Sequence, residues 1–273
     1  MPMKIPLEDL FEDIVGKAQR GLNLGDHELS QRAHLSSEEL RSLKKGSGNP
    51  AGVSELAETL GLGPKALAAS YSKSWYPTDV PFVEGVKQFN TPLLDMTVNA
   101  YLVWDPETRE AAIFDTGADA SELLAFLDSA KLTVKYLFLT HTHQDHVADL
   151  GAIVKKIRAE FFGPDLERMP DTKVVREGDQ FRLGKLRIEA RLTNGHSPGG
   201  TSYIVYGLKT TIAVVGDSLF AGSMGGAPND YQKALRNNAE KLLSLPDDTL
   251  ICPGHGPLST VKNEREHNPF FAP

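Results

Sequence analysis

Thr140-His141-Thr142-His143-Gln144-Asp145-His146 is the stretch on which the reading of this chain turns. It ends an apolar run over residues 134–140 that reads as a buried strand, and a helical pattern over residues 147–160 follows it. The histidines therefore sit on a tight loop at the carboxyl end of a strand, where α/β sheets place their sites. Softer divalent metals favour imidazole and harder ones carboxylate. Neither packing nor turn chemistry asks for three imidazoles here. Three histidines and one aspartate between positions 141 and 146 exceed what one metal centre needs from one loop, which points to two centres. His141 and His143 can converge on one ion, while Asp145 and His146 turn toward a second.

Working outward, three more residues join the set. His196 lies in Asn194-Gly195-His196-Ser197-Pro198-Gly199-Gly200, and Asp217 ends a buried run in Gly216-Asp217-Ser218. His255 lies in Cys252-Pro253-Gly254-His255-Gly256-Pro257. Each alone reads as an ordinary turn or loop residue. Together they share one property, a metal-ligand type at the end of a buried strand. His27, His34 and His267 lack that setting and read as solvated. The single cysteine, Cys252, reads as a small apolar strand residue, and it excludes an internal disulfide.

The chain has 273 residues, enough for one large domain or for one medium and one small. Hydrophobic residues at 40% and charged residues at 24% allow a packed core. A net charge of −7 argues against a protein built to coat nucleic acid or an anionic membrane. No apolar run approaches a membrane span, and the opening MPMKIPLEDLFEDIV carries acids where a signal peptide needs a positive region. A cytoplasmic protein is expected.

The hydrophobic rhythm changes near residue 75. Before it come short helical patterns: Leu10, Ile14 and Val15 share a face, a second helix spans 26–33, and Ser36 and Glu39 have capping-box spacing. Further helices are expected over 53–62 and from Pro64 to Ser70. After it, strands are expected over 86–90, 98–104, 111–115, 134–140, 173–177, 181–192, 201–205, 211–215 and 249–252. Helices are expected over 120–129, 147–160 and 231–245. The fold class is α/β, an αββα sandwich preceded by a small all-α unit. The division is a helical domain over 1–70, a linker over 71–81 and a catalytic domain over 82–273.

The order H-x-H-x-D-H, G-H-S-P-G, G-D-S-L-F and P-G-H-G-P resembles the metallo-β-lactamase-fold hydrolases. It is most similar to their short glyoxalase II-like (hydroxyacylglutathione hydrolase-like) branch. Phe220-Ala221-Gly222-Ser223 and the ending from Glu264 to Phe270 are particularly like that branch, and the resemblance covers about residues 80–273. It implies two divalent metal ions, zinc first, with iron or manganese as alternatives. His141, His143 and His196 would hold one, Asp145, His146 and His255 the other, and Asp217 would bridge them. Asp115, in Phe114-Asp115-Thr116-Gly117, would steady the ligand loop from behind. Two such cations would bring the pKa of a bridging water from about 15.7 toward about 7 and polarise a carbonyl, with Asp145 as the catalytic residue that orients the hydroxide. The expected substrate is a small acyl or thioester compound. Only eighteen residues follow His255, so the C-terminal glutathione-binding domain of full-length glyoxalase II is not expected. Gly226 stands where that branch often has an arginine, which leaves glutathione specificity open.

The front segment resembles a phage-repressor-type helix-turn-helix domain, residues 24–33 matching its second helix and residues 35–46 its third. Residues 1–80 carry nine Lys/Arg and eleven Asp/Glu, a net of −2, and Glu38 and Glu39 open the would-be recognition helix. Nucleic acid is therefore not the expected partner, and a docking, dimerising or site-covering role is. Two alternatives stand beside the hydrolase: a mononuclear-iron persulfide dioxygenase on the same fold, and a ligand-sensing DNA-binding regulator. A homo-oligomer is compatible with the sequence.

Overall fold

The computed structural model describes residues 4–94 and 96–273. Five helices come first: α1 (Phe11–Gly21), α2 (Asp26–Arg32), α3 (Ser37–Lys44), α4 (Gly52–Leu60) and α5 (Pro64–Tyr71). Local chemistry sets their ends. The Glu39 backbone N–H donates to Ser36 Oγ at 3.2 Å, and the Glu39 carboxylate accepts from the Ser36 N–H at 2.7 Å, which closes a capping box on α3. α4 stops on Gly61, whose φ of +66° is the left-handed conformation that ends helices, and α5 opens on Pro64.

The helical segment does not close its own core. Ile14, Val15, Leu29, Leu43, Leu56 and Leu67 form one buried cluster with Met224, Tyr231 and Phe270 from much later in the chain. The Gly63 N–H also donates to the Pro269 carbonyl at 2.7 Å.

Two six-stranded sheets follow. The first holds β1 (Val86–Leu93), β2 (Met96–Trp104), β3 (Glu110–Phe114), β4 (Thr133–Phe138), β5 (Glu160–Pro164) and β6 (Lys173–Val175), side by side in chain order. β3 to β6 run parallel, and β1–β2–β3 are antiparallel. The second holds β7 (Gln180–Leu183), β8 (Leu186–Leu192), β9 (Thr201–Tyr206), β10 (Ile212–Gly216), β11 (Leu250–Pro253) and β12 (Ser259–Thr260), again in order, with only the β10–β11 pairing parallel. Their inner faces meet in an aromatic core, where Phe114, Tyr136 and Phe138 pack on Ile188, Tyr203 and Val214. Leu123 and Leu127 of α6 (Ser121–Ala130) cover the first sheet from outside. They are joined there by Ile153, in the helix that follows the short turn α7 (Gln144–Val147), α8 (Leu150–Lys156). The second sheet is covered by the π-helical turn that continues α9 (Tyr231–Asn237) and by α10 (Val261–His267), through Leu242, Leu243 and Val261. This is the expected αββα arrangement.

Two expectations are corrected. The helix over 147–160 ends at Lys156, and Glu160–Pro164 instead forms β5 against β4, because the Leu139 N–H donates to the Phe162 carbonyl at 2.9 Å and continues the parallel ladder. The strand over 181–192 folds at Gly184 (φ +56°) into the β7–β8 hairpin, with Leu183 opposite Leu186. The expected strand over 249–252 is followed by two elements not expected from the sequence, β12 and α10. Among the described residues no helix is long and apolar enough to cross a membrane.

Candidate metal centre

The carboxyl ends of β3, β4, β10 and β11, with the β8–β9 turn, bring the quoted motifs to one edge of the sandwich. The hydrogen bonds behind the histidines settle which ring nitrogen faces the centre. Asp115, 2% exposed and in the left-handed conformation (φ +56°), accepts from the Thr140 N–H and from Thr140 Oγ, each at 2.7 Å. Since that hydroxyl hydrogen is committed to Asp115, the Thr140 oxygen accepts from His141 Nδ1 at 3.0 Å, and His141 Nε2 is left bare. His146 Nδ1 donates to Asp115 Oδ2 at 2.8 Å. His255 Nδ1 donates to the Thr97 carbonyl at 2.7 Å, and His196 Nδ1 to the Gly226 carbonyl at 3.0 Å. A carbonyl can only accept, so in both rings the proton sits on Nδ1 and Nε2 points inward.

The bare nitrogens converge. His141 Nε2 lies 3.1 Å and His196 Nε2 3.0 Å from His143 Nδ1. One proton on His143 can serve one of these neighbours, never both. His141, His143, His196 and Asp217 thus form one group of potential ligands, and Asp145, His146 and His255 a second. Asp217 reaches both: Oδ2 is 3.4 Å from His196 Nε2 and 3.5 Å from His255 Nε2, and Oδ1 is 3.2 Å from His146 Nε2. Asp145 Oδ2 is 3.1 Å from His255 Nε2. Every residue singled out from the sequence is in or directly behind this cluster. His27 and His34 are exposed, and His267 packs on Trp75 with ring centroids 5.5 Å apart.

The electrostatics carry the mark of missing positive charge. Burial pulls His141 well below the usual imidazole range, and it also lowers His196, so both are neutral donors. Burial acts the same way on His146 and His255, yet neighbouring carboxylates outweigh it. Asp217 and Asp115 lift His146 to about 10, and Asp217 and Asp145 lift His255 to about 11. Asp145 is held at about 2 because the His255 hydrogen bond and the His146 charge overcome its burial. Protons on two imidazoles here answer a demand that cations would answer better. The donor set passes a second test. Among the described residues, His146 Nε2 and Asp217 Oδ1 are buried and find no hydrogen bond of good geometry, although they face each other across 3.2 Å. An orphaned ring nitrogen and an orphaned carboxylate oxygen at one point fit a metal ion between them.

Two glycines make room. A Cβ at Gly254 would strike Asp217 Oδ1 and stand 2.7 Å from His146 Cε1, and one at Gly225 would strike the Asp217 carbonyl and stand 2.9 Å from His196 Cγ. Beside the cluster opens a cavity of about 590 Å³ lined by His143, Asp145, Asp217 and His255, with Leu93, Leu94, Met96 and Phe220 as its apolar wall. Glu8 and Lys17, from the front segment, also line it. Nothing in the sequence singled out these two: they lie more than 120 residues before the first ligand.

A model of the metallo-beta-lactamase superfamily matches residues 94–255, and the chain belongs to that superfamily. Among individual proteins it is 30% identical over 205 residues to hydroxyacylglutathione hydrolase GloC of Haemophilus influenzae, covering 66% of this chain and 95% of GloC. Among solved structures, the BLEG-1 B3 metallo-beta-lactamase superposes with a TM-score of 0.59 at 29% identity, covering 69% of this chain and all of that one. TTHA1623 in a di-iron-bound form gives a TM-score of 0.54 at 28% identity, over 67% of this chain and 99% of that one. The matched family region begins after the five helices.

Proposed function

We propose that the chain hydrolyses thioesters or other small acyl substrates with the help of two divalent cations. The observation that carries this reading is the convergence of bare imidazole nitrogens on Asp217, with His146 Nε2 and Asp217 Oδ1 left without a hydrogen bond of good geometry. His141, His143 and His196 would hold one ion, Asp145, His146 and His255 the other, and Asp217 would bridge. Imidazole and carboxylate without thiolate suit zinc, with iron or manganese as alternatives. When bound, such ions make a coordinated water a nucleophile near neutral pH and polarise a carbonyl oxygen. The di-iron state of TTHA1623 supports the count of two, and the name of the Haemophilus relative supports a thioester substrate.

The chain's own groups do the rest. Asp145, ionised at the cavity wall, would orient the attacking water by accepting its hydrogen bond. Thr97, Asp115 and Gly226 keep the ring protons of His255, His146 and His196 on the outer nitrogen, so the inner lone pairs stay available. Leu94, Met96 and Phe220 shield an acyl group from water, while Glu8 and Lys17 place the front segment at the substrate's entrance. No cysteine is required: Cys252 is buried in β11, and burial pushes its thiol up, away from reactivity. A cytoplasmic location is part of the same reading.

The regulator reading finds less support. In the helix-turn-helix-like segment, Arg41 pairs with Glu38 at 2.5 Å and Lys44 with Asp26 at 2.6 Å, so the basic groups of α3 are engaged within the chain. Metal analysis together with a panel of thioesters and esters and an oxygen electrode tests the proposal. The expected result is two metal equivalents, with hydrolysis that a chelator abolishes. One equivalent of iron with persulfide-dependent oxygen uptake would replace it with the dioxygenase, and salt-dependent binding to duplex DNA would restore the regulator.

A further inference from the structure

Between β10 and α9, residues 219–226 form a turn pinned by mutual hydrogen bonds between Phe220 and Ser223, at 3.0 and 3.2 Å. Its far end carries the Gly226 carbonyl that receives the His196 Nδ1 proton. Gly225, one residue earlier, is wedged between His196 and the Asp217 backbone with no room for a Cβ. A small shift of this turn therefore moves the His196 acceptor or collides with Asp217.

Two sets of contacts hold the turn, and they meet at Ser223. From α10, the Glu264 carboxylate accepts from the Gly222 N–H at 2.9 Å, and Asn268 Nδ2 donates to the Ser223 carbonyl at 2.7 Å. Those fix residues 222 and 223. The second set comes from the front segment, over 200 residues away. Ser223 Oγ and Lys17 Nζ both donate to Asp9 Oδ2, and Lys17 Nζ also donates to the Met224 carbonyl at 2.9 Å. The Lys17 stem passes over Gly226, where a Cβ would lie 3.8 Å from Lys17 Cγ. Asp9 and Ser223 are buried, and the Lys17 side chain is 14% exposed. A buried ion pair is by itself weak evidence for stability, but one whose spare donor is spent on a single carbonyl sets the register of that carbonyl.

We propose that Asp9 and Lys17 are positioning residues for His196: through Ser223 and Met224 they hold the last three residues of the turn, so that the Gly226 carbonyl keeps the His196 proton on Nδ1 and its Nε2 turned to the cluster. The front helices are on this account part of the construction of the centre, beyond lining its cavity. The proposal rests on reading His196 as a metal ligand only for the second arm of its test.

The first arm needs no metal. Long-range ¹H–¹⁵N spectra of the full, metal-free chain at neutral pH should show His196 as the Nδ1–H tautomer. In Lys17→Met it should become a mixture with Nε2–H, and Lys17→Arg, which can still reach both Asp9 and the Met224 carbonyl, should restore it. In the second arm, cobalt(II) is titrated against a competing chelator. Loss of an outer hydrogen-bond partner typically costs 10–100-fold in affinity, so Lys17→Met should weaken one cobalt site by about tenfold and shift its visible bands. Thermal midpoints recorded alongside separate this from general destabilisation. Should Lys17→Met not fold, Ser223→Ala removes only the hydroxyl that ties the turn to Asp9 and is read in the same way. An Nε2–H tautomer in the unmodified chain, or an unchanged tautomer and cobalt affinity in the variants, overturns the proposal. An unmodified chain with the Nδ1–H tautomer that binds no cobalt would instead overturn the metal reading.

Discussion

Glu264 offers a quantitative test of the packing around the turn. Its side chain is fully buried on α10, where its carboxylate accepts from the Gly222 N–H at 2.9 Å and Asn268 Nδ2 at 2.8 Å, and it also meets Ser259 Oγ. Burial outweighs these hydrogen bonds and raises its pKa from 4.5 to about 7. The sign follows from linkage. Between pH 4.5 and 7 the unfolded chain has lost this proton while the folded chain keeps it, so the stability this group contributes is full below 4.5 and is lost as pH rises through 7. At about 1.36 kcal/mol per unit, the 2.5-unit difference is worth about 3 kcal/mol. Glu264→Gln keeps the shape and cannot ionise. Urea unfolding of both proteins, each stripped of metal, should therefore show the stability of the unmodified chain falling by about 3 kcal/mol relative to Glu264→Gln between pH 4.5 and pH 8. Other titrating groups are common to both chains and cancel in the difference. Parallel stability curves for the two proteins across that range would refute the reasoning.

Asp217→Asn should lose metal stoichiometry together with activity, because a neutral amide is a poor bridge between cations, and full metal content with unchanged turnover would remove Asp217 from the centre. Asp115→Ala should weaken metal binding by about 10–100-fold in a chelator competition, since His146 loses the partner of its outer nitrogen. It should also cost about 1–3 kcal/mol in urea unfolding by leaving the buried Thr140 N–H unpaired. A chain starting at Tyr71 should melt well below the full chain in calorimetry, because Met224, Tyr231 and Phe270 each lose burial worth about 1.5–3 kcal/mol. Equal midpoints would show that the helices are dispensable for the rest of the fold.

Much of this was legible in the sequence, and what was legible had local causes. The capping box at Ser36, the proline opening α5 and the buried strand before His141 each depend on residues within a few positions of one another. So does the H-x-H-x-D-H loop, whose crowding by itself marked out a metal site. The misread segments depend on partners elsewhere. Residues 157–160 carry no stop signal that a helical rhythm would respect, and only the ladder with β4 makes Glu160–Pro164 a strand. The acceptors that fix the outer nitrogens of His196 and His255 are backbone carbonyls, which have no side-chain identity to be read.

The front segment shows the same limit at larger scale. Its helices were legible one by one, their spacing resembled a helix-turn-helix domain, and their acidic balance pointed to a docking or site-covering role. What the pattern could not carry is that the module's apolar face has two owners. Leu40 and Leu43 of α3 turn inward against α1, α2 and α4, into the cluster that also contains Tyr231 and Phe270 of the later chain. The dependence runs the other way too, since Asp9 and Lys17 spend their charge on the turn that carries the His196 acceptor. Two parts that each leave buried groups for the other to complete cannot be parted without leaving both apolar surface and unpaired polar atoms exposed, and each of these is destabilising alone. The acidic balance that argued against nucleic acid in residues 1–80 is thus compatible with a layer whose business is with the neighbouring sandwich and the mouth of its cavity.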